Sequence, residues 1–164
     1  MRRHNFVLAD LINENGFGRF AEVGVARSFT LTHILQNTEL SEYWAIDPWM
    51  PYDEIIENRW ESWHRKACMR MLYFPQLRVL RMNSVLAASI FPNGYFDMVY
   101  IDADHRYEFV LLDIRSWLPK VKKGGILGGH DYGNRGTPDV KRAVDECFME
   151  VEQFDHCVWT KRIG

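Results

Sequence analysis

The chain has 164 residues, of which 47% are hydrophobic and 26% are charged, and its formal net charge is -2. This length and apolar content suit one domain with a single core, and we expect residues 1–164 to form that domain. A net charge this close to zero gives no general attraction for nucleic acid or for an anionic membrane, so we expect neither as a partner.

The cysteines and the N-terminus bear on the cellular compartment. Cys68, Cys147 and Cys157 include no Cys-x-x-Cys pair, which argues against a disulfide framework and favours a reducing environment. The apolar stretch near the N-terminus is interrupted by Asp10 and is too short for a signal peptide or a membrane span. We therefore expect a cytoplasmic protein.

Strand-like and helix-like segments alternate along the chain, with no internal repeat and no linker rich in Pro, Gly or Ser. The hydrophobic spacing predicts helices over 7–12, 28–35, 52–72, 85–91, 106–118 and 140–148. It predicts strands over 19–23, 43–46, 77–82, 96–101 and 125–128. The last residues, around Val158 and Trp159, predict a closing hairpin or an edge strand. This order indicates an α/β fold with a doubly wound, mostly parallel sheet, helices on both faces and an antiparallel C-terminal edge strand or hairpin.

Polar side chains follow two of the predicted strands at the point where each strand ends. The fourth strand leads into Asp102 and His105, and the fifth leads into His130 and Asp131. Ligands of parallel sheets bind at the carboxyl ends of the strands, so we expect these side chains to share one site. An unpaired carboxylate at a buried strand end would be costly, which favours a functional role for Asp102.

The turn after the first strand and the end of the second strand indicate a binding site for a nucleoside. The turn reads Glu22-Val23-Gly24-Val25-Ala26-Arg27-Ser28, and its glycine would let a ligand approach the backbone beside a helix N-terminus. Asp47 is placed to accept hydrogen bonds from both hydroxyls of a ribose, although it could instead cap the turn before Pro48. The dinucleotide fingerprint Gly-x-Gly-x-x-Gly is absent, so a nucleoside without a pyrophosphate fits better.

Taken together, these motifs resemble the class I S-adenosylmethionine-dependent methyltransferases, and within them the small-molecule O-methyltransferases of the catechol, macrocin and mycinamicin type. The resemblance spans about Phe20 to Phe148 and implies a Rossmann-like fold. It rests on Glu22-Val23-Gly24, Ala45-Ile46-Asp47-Pro48-Trp49, Asn83-Ser84, Ile101-Asp102-Ala103-Asp104-His105, and Gly124-Gly125 leading to His130-Asp131-Tyr132.

The resemblance implies a contact to S-adenosylmethionine for each matched residue. Asp47 would hold the ribose, Pro48 or Trp49 would cover the adenine, and Ser84 would meet the adenine edge. Ser28 stands where the loop of the family has its second glycine. The other residues expected at the cofactor are Glu22, Gly24, Val25, Asn83 and Asp102.

At the ends of the fourth and fifth strands the resemblance implies a metal and a base. Asp102 matches the metal-binding aspartate of the family, and His130 and Asp131 fall where relatives carry further ligands. His105 matches the general base of the macrolide-sugar methyltransferases, and an imidazole with an ordinary pKa near ~6.5 can accept a proton around neutrality. Oxygen ligands favour Mg²⁺, whereas an imidazole ligand at His130 would favour Mn²⁺ or Fe²⁺. Alternatively, His130 only bonds a backbone carbonyl.

Three further acids have simpler interpretations. Asp104 is suited to be the N-cap of the helix that begins near Tyr107, because an aspartate there satisfies free amide donors. Glu108 and Asp113 are interpreted as solvated positions of that helix.

We therefore predict a metal-assisted, S-adenosylmethionine-dependent O-methyltransferase that acts on a hydroxyl of a sugar or a phenol. Two alternatives are a non-catalytic module that binds a nucleoside cofactor and a nicotinamide-dependent oxidoreductase. Only about twenty residues precede the first strand, so the N-terminal cap that covers the acceptor in relatives would be minimal. We expect a homo-oligomer in which a partner subunit covers the acceptor.

Overall fold

The computed structural model describes residues 4–51 and 59–164, apart from the side chain of His156. The helices are α1 (His4–Asn15), α2 (Phe29–Asn37), α3 (Arg59–Arg70), α4 (Ser84–Ile90), α5 (Tyr107–Trp117) and α6 (Pro138–Cys147). The strands are β1 (Arg19–Val23), β2 (Glu42–Asp47), β3 (Leu77–Arg81), β4 (Phe96–Ile101), β5 (Val121–Gly129), β6 (Glu152–Phe154) and β7 (Val158–Arg162). The predicted start of the third helix at residue 52 lies outside the described residues.

The seven strands form one sheet in the order β3-β2-β1-β4-β5-β7-β6. Strands β1 to β5 pair in parallel, whereas β7 is antiparallel to both β5 and β6. The predicted α/β fold and its C-terminal hairpin are thereby confirmed. The strand order reverses direction between β1 and β4, and ligands of open parallel sheets bind outside the carboxyl ends of the strands at such a point.

The sheet is buried on both faces, as the continuous apolar strands predict. All six residues of β4 are buried. One core lies between the sheet and the first three helices, with Leu8, Ile34 and Trp60 among its members. The other lies beneath α4, α5 and α6 and contains Val110 and Val144. Helices on both faces leave the carboxyl edge of the sheet as the place where polar side chains can gather.

Strand β5 begins at Val121, four residues before the predicted start. Its charged first half masks the strand pattern, and the pairing with β4 shifts register between Phe96 and Met98. Lys122 forms an ion pair with Asp97.

The cysteines are free, as predicted. Within the described ranges, none of the helices has both the length and the apolarity that crossing a bilayer requires.

Candidate functional site

The register of the parallel strands brings the predicted site residues to one level. Val23 of β1 pairs with Ile46 of β2 and with Ile101 of β4, and Ile101 pairs with Gly129 of β5. The residue that follows each of these four positions therefore stands at the same edge of the sheet. These residues are Gly24, Asp47, Asp102 and His130.

Gly24 is required by the chain itself. Its φ is +91°, and a Cβ atom built there would lie 2.1 Å from the carbonyl oxygen of Asp102. No side chain fits at that distance, because the backbone at the end of β4 already occupies the space. Close packing of two strand ends thus requires the glycine, and its role in making room for a ligand stays a prediction.

The carboxylate of Asp47 is largely engaged by the backbone. Its Oδ2 accepts hydrogen bonds from the amides of Val25 and Ala26, both at 2.9 Å, and its Oδ1 accepts one from the amide of Trp49 at 2.6 Å. The turn-capping role that the sequence left as an alternative is thus the one present in the structure. Asp47 also lines a cavity. A ribose bound there would therefore share the Asp47 carboxylate with these amides.

Four residues predicted at the cofactor are buried away from that cavity. Ser28 and Trp49 are both 0% exposed, and the indole nitrogen of Trp49 donates to the carbonyl of Ala26 at 3.2 Å. Glu22 accepts a hydrogen bond from the hydroxyl of Tyr43, and burial raises the pKa of Glu22 well above its usual value. Val25 is also buried, and none of these four residues is among those that line the cavity.

The cavity has a volume of about 290 Å³ and lies above the carboxyl ends of β1, β2 and β4. Six predicted cofactor residues line it: Gly24, Asp47, Pro48, Asn83, Ser84 and Asp102. Sequence reasoning missed several apolar walls, among them Met50, Phe109 and Leu112. These side chains give the cavity apolar surface of the kind that a flat ring packs against.

Asp113 is a further wall residue that the sequence interpretation placed in solvent. It is only 4% exposed, and its Oδ1 accepts a hydrogen bond of 2.5 Å from the hydroxyl of Ser84. That hydroxyl accepts one from the indole nitrogen of Trp117 at 2.8 Å. Burial raises the pKa of Asp113 to about 6. The sequence did contain a signal for this burial. Asp113 lies three residues after Val110 and directly before Ile114, within the apolar stripe of the helix.

His105 lies between the two carboxylates at the ends of β4 and β5. Its Nε2 is 2.9 Å from Oδ2 of Asp131 and 3.5 Å from Oδ1 of Asp102. Asp102 first and then Asp131 raise the pKa of His105 to about 10. The ordinary value assumed from the sequence is therefore wrong for this arrangement, in which His105 carries a proton at neutral pH. Its Nε2 is shielded from solvent, and neither carboxylate is well aligned with it as a hydrogen-bond acceptor.

Asp131 is the most strongly engaged acid of the cluster. It takes a left-handed φ of 62° and accepts a hydrogen bond from the side-chain amide of Asn134. Burial raises its pKa, but the interactions with His105, His130 and Asn134 together outweigh burial and hold the pKa well below its usual value. Asp131 therefore stays ionised at all ordinary pH values.

His130 is the residue predicted as a third metal ligand, whereas the histidine that lies closest to both carboxylates in the cluster is His105. The groups that could hold one cation are Asp102, His105 and Asp131, whose ligand atoms all lie within 4.8 Å of one another. Nδ1 of His130 instead contacts Oδ2 of Asp131 at 3.1 Å and is 3.8 Å from Asp102. Its ring packs against that of His4, with centroids 4.7 Å apart. His130 therefore borders the cluster, and its role as a ligand stays a prediction.

Asp104 does not cap helix α5. The helix begins at Tyr107 with Arg106 as its N-cap residue, so the predicted role is wrong. The Asp104 carboxylate instead pairs with the Arg106 guanidinium at 2.5 Å and accepts a hydrogen bond from the Arg106 amide at 3.0 Å. This local pair fixes the segment that carries His105.

The profile of a family described as a methyltransferase domain matches residues 21–132 of the chain. The chain belongs to this family. The matched range begins in β1 and ends just after Asp131, so it includes both the cavity and the cluster of acids and imidazoles. The family decides between a methyltransferase and a nicotinamide-dependent oxidoreductase in favour of the methyltransferase, and it supports S-adenosylmethionine as the cofactor.

The chain is also similar to individual proteins. An uncharacterized protein of Acanthamoeba polyphaga mimivirus is 25% identical over 157 residues, which cover 91% of this chain and 68% of the viral protein. A Podospora anserina methyltransferase, solved with S-adenosylhomocysteine bound, superposes with a TM-score of 0.76 at 11% identity, covering 98% of this chain and 78% of the other. The O-methyltransferase NovP gives a TM-score of 0.72 at 20% identity, with coverages of 98% and 78%. At these identities the two structures establish the shared fold.

Proposed function

We propose that this protein transfers the methyl group of S-adenosylmethionine to a hydroxyl oxygen of a small molecule, assisted by a divalent cation. The observation that carries the proposal is the placement of Asp102 in the wall of the cofactor cavity and, at the same time, in the cluster with His105 and Asp131. One residue thereby joins the expected position of the methyl donor to the groups that can activate an acceptor.

The cavity suits the adenosine part of the cofactor. Its walls include the carboxylate of Asp47 and the apolar side chains of Phe109 and Leu112. This combination suits a ribose with two hydroxyls joined to a flat base. The neighbour with bound S-adenosylhomocysteine and the named O-methyltransferase support the same cofactor and the same acceptor atom.

The donor set at the cluster fits a divalent cation. Asp102 and Asp131 offer carboxylate oxygens, the ligands that Mg²⁺ and Mn²⁺ prefer. Both carboxylates face the imidazole of His105, so their oxygens converge on one place where a cation could bind. When bound, the cation supplies a Lewis acid that lowers the pKa of the acceptor hydroxyl.

His105 serves as the proton acceptor in this proposal. Its high pKa results from the two carboxylates that face it. A cation held by these carboxylates would weaken their pull on the imidazole and would lower the pKa of His105 toward neutrality, so that the ring could accept a proton. In the transfer, the acceptor oxygen forms a bond to the methyl carbon while the bond from carbon to sulfur breaks. The hydroxyl proton passes to His105, and S-adenosylhomocysteine leaves as a neutral thioether.

Three measurements on the full chain test the proposal. Calorimetry should show binding of S-adenosylhomocysteine, and labelled methyl transfer to a panel of sugars and phenols should depend on Mg²⁺ or Mn²⁺. His105→Gln should lower the transfer rate by about 10³-fold while Mn²⁺ binding, followed by electron paramagnetic resonance, stays within threefold. His33→Gln, on α2 and outside both the cavity and the cluster, provides a matched control with an unchanged rate.

The outcomes separate the proposal from its alternatives. Loss of Mn²⁺ binding in His105→Gln would make the histidine a ligand and remove it as the base. If S-adenosylhomocysteine binds but no acceptor is methylated by the parent protein, the non-catalytic binding module is the better description. Transfer that persists at full rate after chelation of all divalent cations would exclude metal assistance.

A further inference from the structure

The side of the molecule formed by the end of α3 and by β3 differs from the rest in charge. From residue 62 to residue 96 the sequence contains no aspartate or glutamate, although it contains five basic residues, so all 22 acidic residues lie elsewhere. Strand β3 is the outermost strand on one side of the sheet, so this stretch lies at one edge of the molecule. The formal net charge of -2, which predicts no attraction to an anionic membrane, is therefore an average over two unlike regions.

Large apolar side chains are exposed in the same stretch, at the turn where α3 ends. Leu72 is 80% exposed and Tyr73 is 76% exposed, and Met69 and Met71 are 55% and 43% exposed. We call residues 69–73 the apolar turn. Single apolar residues are common on protein surfaces, whereas a group of neighbouring ones marks a surface that binds a partner.

The apolar turn is held in place by its own backbone. The amides of Met71, Leu72 and Tyr73 each donate a hydrogen bond to the carbonyl oxygen three residues earlier, at 3.0 to 3.2 Å. Phe74, the next residue, packs against the core between the sheet and the first three helices. The exposed side chains therefore project from an ordered turn, and folding of the chain against itself leaves them in contact with solvent.

Four basic side chains accompany the apolar turn: Arg65, Lys66, Arg70 and Arg78. The first two are exposed and lie about one helical turn before Met69. The guanidinium groups of the other two donate hydrogen bonds to neutral acceptors, among them the hydroxyl of Thr32 at 2.6 Å and the carbonyl of Pro75 at 2.6 Å. These bonds keep the guanidinium groups near the turn without cancelling their charge.

The charge of this surface is not neutralised by the protein. Among the residues that the structure describes, none of the four forms an ion pair, whereas Arg81, the fifth basic residue of the stretch, pairs with Glu61 at 2.8 Å. Apolar side chains beside unpaired cations suit a bilayer surface, because the apolar groups enter the boundary between headgroups and acyl chains while the cations attract anionic headgroups.

We infer that the apolar turn and its four basic neighbours form a docking surface for a membrane that contains anionic phospholipids. The surface lies outside both the cavity and the cluster of acids and imidazoles. The inference is therefore independent of the proposed function and adds a site of attachment to it.

Other occupants use only part of this surface. In a two-fold dimer the same patch meets itself, so the cations of one copy would face those of the other. Nucleic acids are bound through phosphates and by stacking on aromatic rings, and they would gain little from Leu72 and the two methionines. A bilayer with anionic headgroups uses the cations and the aliphatic side chains together.

The test measures co-sedimentation of the full chain with two kinds of vesicle, phosphatidylcholine alone and equal parts of phosphatidylcholine and phosphatidylglycerol. Each basic residue near an anionic surface raises the partition coefficient about fivefold. With four such residues we expect the mixed vesicles to bind the protein at least about 50-fold more tightly, and high salt should remove most of this preference. Equal binding to the two kinds of vesicle would overturn the inference.

Leu72→Ser tests the apolar part of the surface and should lower the partition coefficient for the mixed vesicles by about tenfold. The matched control is Leu86→Ser on α4, where the leucine is 62% exposed but the helix has no charged residue. This variant should bind within twofold of the parent. Both positions are exposed, so the melting temperatures should stay within about 2 °C of the parent value.

The double variant Arg65→Gln with Lys66→Gln tests the basic part. Removal of two cations should lower the partition coefficient by about 25-fold. The matched control, Lys123→Gln with Arg135→Gln, removes two cations at exposed positions outside the surface and should change it by less than threefold. A loss as large in either control as in its test variant would contradict the assignment of this surface.

Two further results would replace the membrane by another partner. If Leu72→Ser binds the mixed vesicles as tightly as the parent, the cations act alone and an acidic macromolecule fits the surface better. If light scattering shows that Leu72→Ser turns an oligomer into a monomer, the apolar turn is an interface between copies of the chain. Methyl transfer measured without vesicles should be the same in all these variants, so that failure of one proposal leaves the other intact.

Discussion

The end of β2 and the ends of β4 and β5 both carry aspartates at the same edge of the sheet, but the surroundings of these carboxylates differ. Asp47 accepts three hydrogen bonds from backbone amides. Asp102 and Asp131 face imidazoles, with Asn134 as a further donor to Asp131. The β2 carboxylate is satisfied by dipoles that the fold supplies, whereas the other two are balanced by groups that can lose their charge.

This difference indicates how one sheet edge combines stability with chemistry. A carboxylate held by amides orders a loop and keeps its charge local. A pair of carboxylates that faces a protonated imidazole can exchange that proton for a cation. Asp47 is therefore expected to act mainly on stability, and Asp102 on activity. Substitutions at the two ends measure whether this separation holds.

The largest expected effect is on activity, at Asp102. Asp102→Asn keeps the shape of the side chain and removes one negative charge from the candidate cation site, so methyl transfer should fall by at least about 10³-fold. The melting temperature should change by less than about 2 °C, because the described structure gives this carboxylate no backbone donors to lose. Steady-state kinetics and differential scanning calorimetry measure the two quantities. Asp155→Asn, at an exposed position, is the control; a rate equal to that of the parent would remove Asp102 from the site.

The next effect is on stability, at Asp47. In Asp47→Asn the new amide group cannot accept a hydrogen bond, so at least one of the three backbone donors is left without a partner. We expect a loss of about 3 kcal/mol in the free energy of unfolding, which lowers the melting temperature by about 6 to 12 °C. Glu39→Gln, at an exposed position, should leave the temperature unchanged. If Asp47→Asn has the melting temperature of the parent and yet loses cofactor binding, Asp47 acts on ligand binding and not mainly on stability.

Asp113 is a third case, because burial acts on it more strongly than any partner. Its pKa in the folded protein, about 6, lies above its ordinary value of 3.8, so the folded state holds the proton more tightly than the unfolded state does. Stability therefore falls as pH rises from about 4 to about 6 and is level above that range. At pH 7 the ionised Asp113 costs roughly 2 to 3 kcal/mol relative to its protonated form.

Asp113→Asn removes this dependence, since the amide stays neutral and its oxygen can still accept the hydrogen bond from Ser84. The variant should be more stable than the parent by roughly 2 kcal/mol at pH 7 and should approach it near a pH of about 4.5. Urea unfolding across this range measures the difference, with exposed Glu108→Gln on the same helix as control. A constant difference at all pH values would contradict the assigned pKa.

The strands, and the placement of Asp102 and Asp131 at one edge of the sheet, could be predicted from the sequence because both follow from short-range patterns. The run 96–101 is apolar almost throughout and is a fully buried strand, and parallel strands necessarily bring Asp102 and Asp131 to one edge. The position of His105 over both acids could not be predicted, since it depends on how the segment after β4 turns. The burial of Trp49 depends likewise on a left-handed backbone, with φ of 40°, that no spacing reveals.

The smallest expected effect concerns the loop that Asp47 holds in place. Ser28 lies in this loop with a φ of 63°, and its hydroxyl is buried without a partner in the described structure. Ser28→Gly relieves the backbone strain and removes the unpaired hydroxyl, against a larger entropy loss on folding. We expect a net gain of about 1 kcal/mol, seen as a rise of about 2 to 4 °C in melting temperature. Ser28→Ala removes only the hydroxyl and should gain less. Because Ser28 lies outside the cavity wall, the affinity for S-adenosylhomocysteine should stay within threefold; a larger loss would return this residue to the cofactor site and show that the loop serves binding as well as stability.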